Sequence, residues 1–150
     1  MKFFVRAILM LAVLLPGFFA TGCSAMPGAN TSAADHEIKM APMSMLPQAM
    51  QSAPTTVSDA YRFALANSDA LKNVPCYCGC GAIGHKSNYA CYIKQVNTDG
   101  TVVFDPHALG CSLCVDIAQE VMKLSKEGKS PGQIHEQVVA TFSSFGPPNQ

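Results

Sequence analysis

The apolar residues of this chain change their spacing several times, and each change predicts a boundary. Ala7 to Ala20 is an almost unbroken apolar run. Ser24 to about Pro54 is small, polar and proline-bearing, with no apolar period, which predicts a flexible tether. From Val57 to Leu71 the residues Ala60, Tyr61, Ala64, Leu65 and Leu71 recur at helical spacing, with Thr56 or Ser58 available as N-cap. Asn67-Ser68-Asp69 is polar enough to split that helix, and Pro75 stops it. Tyr89 to Val96 alternates, Asn97-Thr98-Asp99-Gly100 signals a turn, and Thr101 to Phe104 is rich in strand formers. A β-hairpin follows, although Tyr89 to Ile93 also fits a helical turn.

Gly110-Cys111 opens another helix with Val115, Ala118, Val121, Met122 and Leu124 on its inner side, and Gly128 closes it. Ser130 and Pro131 read as N-cap and first residue of a last helix, with Ile134, Val138, Val139 and Phe142 facing inward. Gly146-Pro147-Pro148 ends the fold. The expected fold is mainly α with a small β-hairpin. One cysteine-rich domain spans residues 55–145, behind a tether at 23–54 and before a tail at 146–150. A domain of that size builds only a modest core and commonly needs a staple.

The N-terminal run sits between Lys2 and Arg6 on one side and Ala20-Thr21-Gly22-Cys23 on the other, the order of a secretory signal over residues 1–22. A cysteine directly after Gly22 resembles the lipobox of bacterial lipoproteins, in which that cysteine is acylated and becomes the new N-terminus. Ala20 departs from the leucine usual there. The alternative is an uncleaved anchor, but the run is short for a span, which needs about 20 residues. Cys23 is therefore the expected lipidation site, and the extracytoplasmic side of a bacterial membrane the expected location. Loss of Lys2 and Arg6 leaves a formal charge of −2. No basic patch is present, so nucleic acid is not an expected partner and membrane attachment falls to the lipid.

The chemistry lies in six cysteines: Cys76, Cys78, Cys80, Cys91, Cys111 and Cys114. Alternate residues of an extended chain point the same way, so the Cys76-x-Cys78-x-Cys80 triplet can aim three sulfurs at one point. A disulfide between cysteines two apart is strained, which favours thiolates over a disulfide framework. Gly79, Gly81 and Gly84 permit the tight backbone such a loop requires. Cys111-x-x-Cys114 sits at a helix start, where residues three apart share a face and exposed amides lower a thiol pKa. His85 and His107 lie in loops beside the cysteines, as metal ligands or as loop-stabilising residues. His135 reads as a surface residue. Asp105 and Asp116 read as a turn residue and a helix acid, with hydrogen bonding to a histidine as the alternative. The tether carries Met26, Met40, Met43, Met45 and Met50 after or near His36. Thioether sulfur suits Cu(I) in an oxidising compartment; compositional drift is the other reading.

Pro75-Cys76-Tyr77-Cys78-Gly79-Cys80-Gly81 resembles the signature of the PCYCGC-motif family of bacterial lipoproteins. The likeness continues through Gly84-His85, Cys91, Phe104-Asp105-Pro106-His107-Ala108, Cys111-x-x-Cys114-x-Asp116 and Glu127-Gly128-Lys129-Ser130. It implies signal, lipid anchor, tether and cysteine domain, and brings no assigned activity. Three readings of the site stand. The favoured one is a soft-metal protein holding Cu(I), with zinc as the second metal, through the six cysteines with His85 and His107, for chaperoning or sequestration with a metal-transfer partner. The second is a structural domain stapled by three disulfides or by zinc and a disulfide. The third is a thiol–disulfide oxidoreductase using Cys111 and Cys114, against which stands the lack of any βαβ pattern. A non-enzyme is expected.

Overall fold

The computed structural model describes residues 36–149, which form one folded unit. In chain order its regular elements are α1 (Gln48–Gln51), α2 (Thr55–Ala66), α3 (Ser68–Lys72), β1 (Ile93–Val96), β2 (Val102–Phe104), α4 (Ser112–Lys126) and α5 (Pro131–Phe142). Short 3-10 turns at Met43–Met45, Cys80–Ile83, Asn88–Cys91, His107–Leu109 and Ser143–Phe145 link them. The fold is mainly helical with one antiparallel hairpin. The signal segment, Cys23, Met26 and the first part of the tether lie outside the described residues.

Helix α4 is the central strut. It buries Cys114, Val115, Ile117, Ala118, Val121, Met122 and Leu124, while Ala60, Tyr61, Phe63 and Ala64 of α2 and Ile134, Val138 and Phe142 of α5 join the same core. Gly128 closes α4 at φ 72°, with Lys129 N–H on Leu124 O and Gly128 N–H on Ser125 O, a Schellman pair open to glycine without strain. Ser130 caps α5: its hydroxyl accepts from Gln133 N–H, and the Gln133 side chain accepts from Ser130 N–H, with Pro131 next. The break between α2 and α3 falls at Asn67, where the polar triplet placed it.

The start of α2 differs from expectation. Pro54 occupies the N-cap position, no side chain caps the helix, and Ser58 instead donates to Met50 O at 2.7 Å from inside the core. In the hairpin, Ile93, Gln95 and Val96 pair with Phe104, Val103 and Val102, with a bulge at Lys94. Its first arm divides, since Asn88–Cys91 is a 3-10 turn and only Ile93–Val96 is strand. Asp105 N–H on Tyr92 O at 2.8 Å carries the pairing one residue past β2 and holds Asp105 against the cysteine loop.

The second half of the expected tether belongs to the folded unit. His36 N–H bonds Lys126 O at 2.7 Å, Ala41 N–H bonds Arg62 O, and Arg62 Nε returns to Ala41 O at 2.7 Å. Ala41, Leu46 and Met50 are buried, and Ile38 and Met40 are half-buried against the core. The segment shows no period because it touches the core through single residues between prolines 42, 47 and 54, rather than along one helical face. Met50 is thus a core residue, whereas Met43 and Met45 remain exposed.

Candidate metal centre

After α3 the chain from Val74 to Tyr77 has no regular secondary structure and is buried, and it carries Cys76 into the interior with the half-buried Cys78 just beyond. Gly79 at φ 78° and Gly84 at φ 92° then bracket the Cys80–Ile83 turn. A Cβ would find open space at both, so the need for glycine there is conformational rather than steric. This reversal returns His85 to the interior, and the next 3-10 turn ends on Cys91. The hairpin and the His107–Leu109 turn bring back His107 and Cys111, and α4 presents Cys114.

All six cysteines carry free sulfurs, and the sulfurs converge. Cys76 Sγ lies 3.4 Å from Cys78 Sγ and 3.3 Å from Cys114 Sγ, and Cys78 to Cys114 is 3.5 Å, which closes a sulfur triangle. Cys114 Sγ also lies 3.3 Å from Cys91 Sγ and 3.3 Å from Cys111 Sγ. One sulfur therefore touches four others. Cys80 joins through Cys91 at 3.7 Å. The ligand atoms of Cys76, Cys78, Cys80, Cys91 and Cys114 all lie within 4.8 Å of one another and can hold a metal ion. Two further sets of that tightness are Cys78, His107, Cys111 and Cys114, and Cys80, His85, Cys91 and His107. Every cysteine and histidine singled out in the domain sequence falls into this cluster, except His135, which bonds Asn73 O at a distance from it in the chain.

The hub is held from behind. Tyr92 OH donates to Cys114 O at 2.7 Å and Asn88 Nδ2 donates to the same oxygen at 3.1 Å, both from fully buried side chains. Tyr61 and Tyr92 meet edge to face with ring centroids 5.0 Å apart, which ties the hub to α2. Asp116 is exposed and has no part in the cluster.

The histidine side is organised by Asp105, whose sequence reading favours a turn residue and leaves hydrogen bonding to a histidine as the alternative. Its Oδ2 lies 3.3 Å from His85 Nε2, and its Oδ1 accepts the His107 backbone N–H at 2.8 Å. Tyr61 OH anchors the Asp105 carbonyl at 2.7 Å. The two imidazoles stack edge to face at 5.0 Å, and His107 Nε2 lies 3.6 Å from Cys78 Sγ. A second participant, Asn149, was assigned to the tail. It is buried, its N–H bonds Cys76 O at 2.9 Å, and its Nδ2 donates to Cys80 Sγ at 2.8 Å. The Asp105-Pro106-His107 spacing, with a carboxylate two residues ahead of a histidine amide, could have flagged the first. No local signal marks the second.

The sulfurs do not ionise alike. The Cys114 S–H and then the Cys91 S–H stabilise a Cys76 thiolate and pull its pKa far below that of an ordinary thiol. The others resist ionisation. Burial, then contact with Cys80, pushes Cys78 up to about 12, and burial raises Cys80. Cys91 is lowered by Cys114 but raised more by Cys76 and burial together. Cys114 is driven up by Cys76 first and Cys91 second. At the start of α4, contact with Cys76 and Cys91 together with burial keeps Cys114 from being the acidic thiol. Only a cation would let several of these sulfurs be thiolates together.

A family model described as a protein of unknown function with PCYCGC motif matches residues 8–149. No curated protein and no solved structure matches the chain.

Proposed function

Because the chain belongs to the PCYCGC-motif family, whose description assigns no function, the site must supply the chemistry, and we propose that it binds Cu(I) in a polynuclear thiolate cluster. The observation that carries this is the Cys114 sulfur, within 3.5 Å of four other sulfurs. A tetrahedral ion has four places. Five sulfurs mutually within 4.8 Å exceed them, and a sulfur with four sulfur neighbours is placed to bridge metals. Soft thiolate selects Cu(I) among the available ions, and each copper supplies the positive charge that the buried thiols lack. Copper also shields thiols in an envelope compartment, where free ones oxidise.

Cys78 and Cys111 are half-buried while the other four are buried. Copper would pass in and out at that rim, by exchange of one sulfur for another. A cleft of about 350 Å³ lined by Val57, Ala108, Leu109, Cys111, Ser112 and Val115 opens beside Cys111 and suits such an approach. Binding with transfer or sequestration, rather than catalysis, is the role in this reading. A lipid on Cys23 would hold the domain at the outer side of a bacterial membrane, where a metal-transfer partner protein would meet it.

The test is elemental analysis and thiol titration of the protein purified from the cell envelope. More than one copper per chain, with thiols shielded when folded and fully titratable after denaturation and chelation, is expected. One zinc per chain and no copper would replace the reading with a structural zinc site. No metal and no titratable thiol would mean three disulfides and would end it.

A further inference from the structure

The eight ligand candidates are not equivalent. Cys76, Cys78 and Cys114 form a triangle of sulfur alone, with edges of 3.3–3.5 Å. Cys80, Cys91, His85 and His107 form a second set of two sulfurs and two imidazoles, their ligand atoms within 4.8 Å of one another, and its two sulfurs also belong to the five-sulfur group around the triangle. We infer that this histidine end is a second, chemically distinct metal position, taking one tetrahedral borderline divalent ion of the Zn(II) type beside the copper cluster. It deepens the copper reading and rests on it only for what fills the neighbouring sulfurs.

Three observations carry it. His85 is 6% exposed, and its Nδ1 is a buried nitrogen without a partner. Its Nε2 is engaged by the Asp105 carboxylate, so the proton belongs on Nε2 and Nδ1 is left with a free lone pair as the ligand atom. A carboxylate on the far nitrogen is the usual support of a metal-bound histidine, since it fixes the tautomer and makes the ring a better donor. Second, the same carboxylate holds the His107 backbone, so one aspartate sets both imidazoles. Third, Asn149 Nδ2 donates to Cys80 Sγ, a bond that favours the thiolate a metal requires. Two sulfurs and two nitrogens in a tetrahedron select Zn(II) rather than Cu(I). Bonds of about 2.0–2.3 Å give ligand separations of about 3.3–3.8 Å, so the set closes with a small inward shift. Cys91, 3.3 Å from the Cys114 sulfur, links the two positions.

Co(II), a tetrahedral stand-in with visible bands, tests this on the reduced full-length protein in detergent, with and without prior Cu(I). One Co(II) per chain is expected, with tetrahedral d–d bands, thiolate charge transfer, and cobalt-edge X-ray absorption fitting two sulfurs and two nitrogens. All-sulfur coordination in the Cu(I)-free protein, or no cobalt uptake in either form, overturns the inference. In His85→Ala the cobalt spectrum should change and affinity fall by more than 10-fold; an unchanged spectrum and affinity also overturn it. Should that variant fail to fold, the wild-type X-ray absorption decides alone. Cobalt bound in this geometry by a protein that takes up no copper would sink the copper reading and leave the second position standing.

Discussion

The two sides of the domain are held together by different forces. The helical side, where α2, α3, α4 and α5 meet, is an ordinary apolar core of residues such as Phe63, Leu71, Ile117, Val121 and Val138, all nearly or fully buried. The loop side, from Val74 to Cys114, buries sulfur, imidazole and amide around a set of converging ligand atoms. Tyr92 and Asn88 are the seam, because each reaches from the loop side to the carbonyl of a helical cysteine. The contrast teaches that the helical framework forms independently of the metal, which adds to its stability once bound. The helices make a platform without metal, and the loop acquires its full set of charges only with it.

The sharpest way to break the contrast is Cys114→Ser. It removes the shared sulfur, so most bound copper should be lost in elemental analysis, while far-UV circular dichroism keeps the helical signal. Stripping the metal from the unaltered protein should act in the same direction on stability. A ligand at about 1,000 times its Kd stabilises by about 4 kcal/mol, which lowers Tm by roughly 15 °C or more on removal for a domain of this size. Ile117→Ala attacks the other side. It should cost about 2–5 kcal/mol in denaturant unfolding and leave the copper content per folded chain unchanged.

Smaller effects sharpen the seam. Asp105→Asn should weaken metal binding at the histidine end by about 10–100-fold, with little change in helical content. Tyr92→Phe removes one of the two side-chain bonds on the Cys114 carbonyl and should cost about 1 kcal/mol, because Asn88 still occupies that oxygen. Asn149→Ala is the mildest. It should expose Cys80 to thiol reagents in the metal-free protein at a faster rate, measured by alkylation and mass mapping.

The same division explains what the sequence made legible. The helical side announces itself by period and punctuation: Gly128, Ser130 with Pro131, and the polar break at Asn67 all act where their chemistry placed them. The loop side announces its ligands, since closely spaced cysteines have few other uses, but hides its supports. Asp105 reads as a turn residue with hydrogen bonding to a histidine as the alternative, and it does both; that it holds two histidines depends on the hairpin bringing it back to the 74–91 loop. Asn149 lies 69 residues from the sulfur it touches, and no local pattern encodes that meeting. Cys114 itself does not show the low thiol pKa expected of a helix start, for a related reason: Cys76 and Cys91 push it up, and neither contact is visible in the sequence. Residues 36–54 looked like tether because their contacts with the core are isolated, one residue at a time.

The bridging sulfur is tested most directly by copper-edge X-ray absorption on the copper-loaded protein, with copper per chain counted on the same sample. A cluster built on Cys114 requires more than one Cu(I) per chain, sulfur-dominated first coordination and a short copper–copper vector. A single copper with no metal neighbour would contradict it, and the five close sulfurs would then be a mononuclear site with spare ligands.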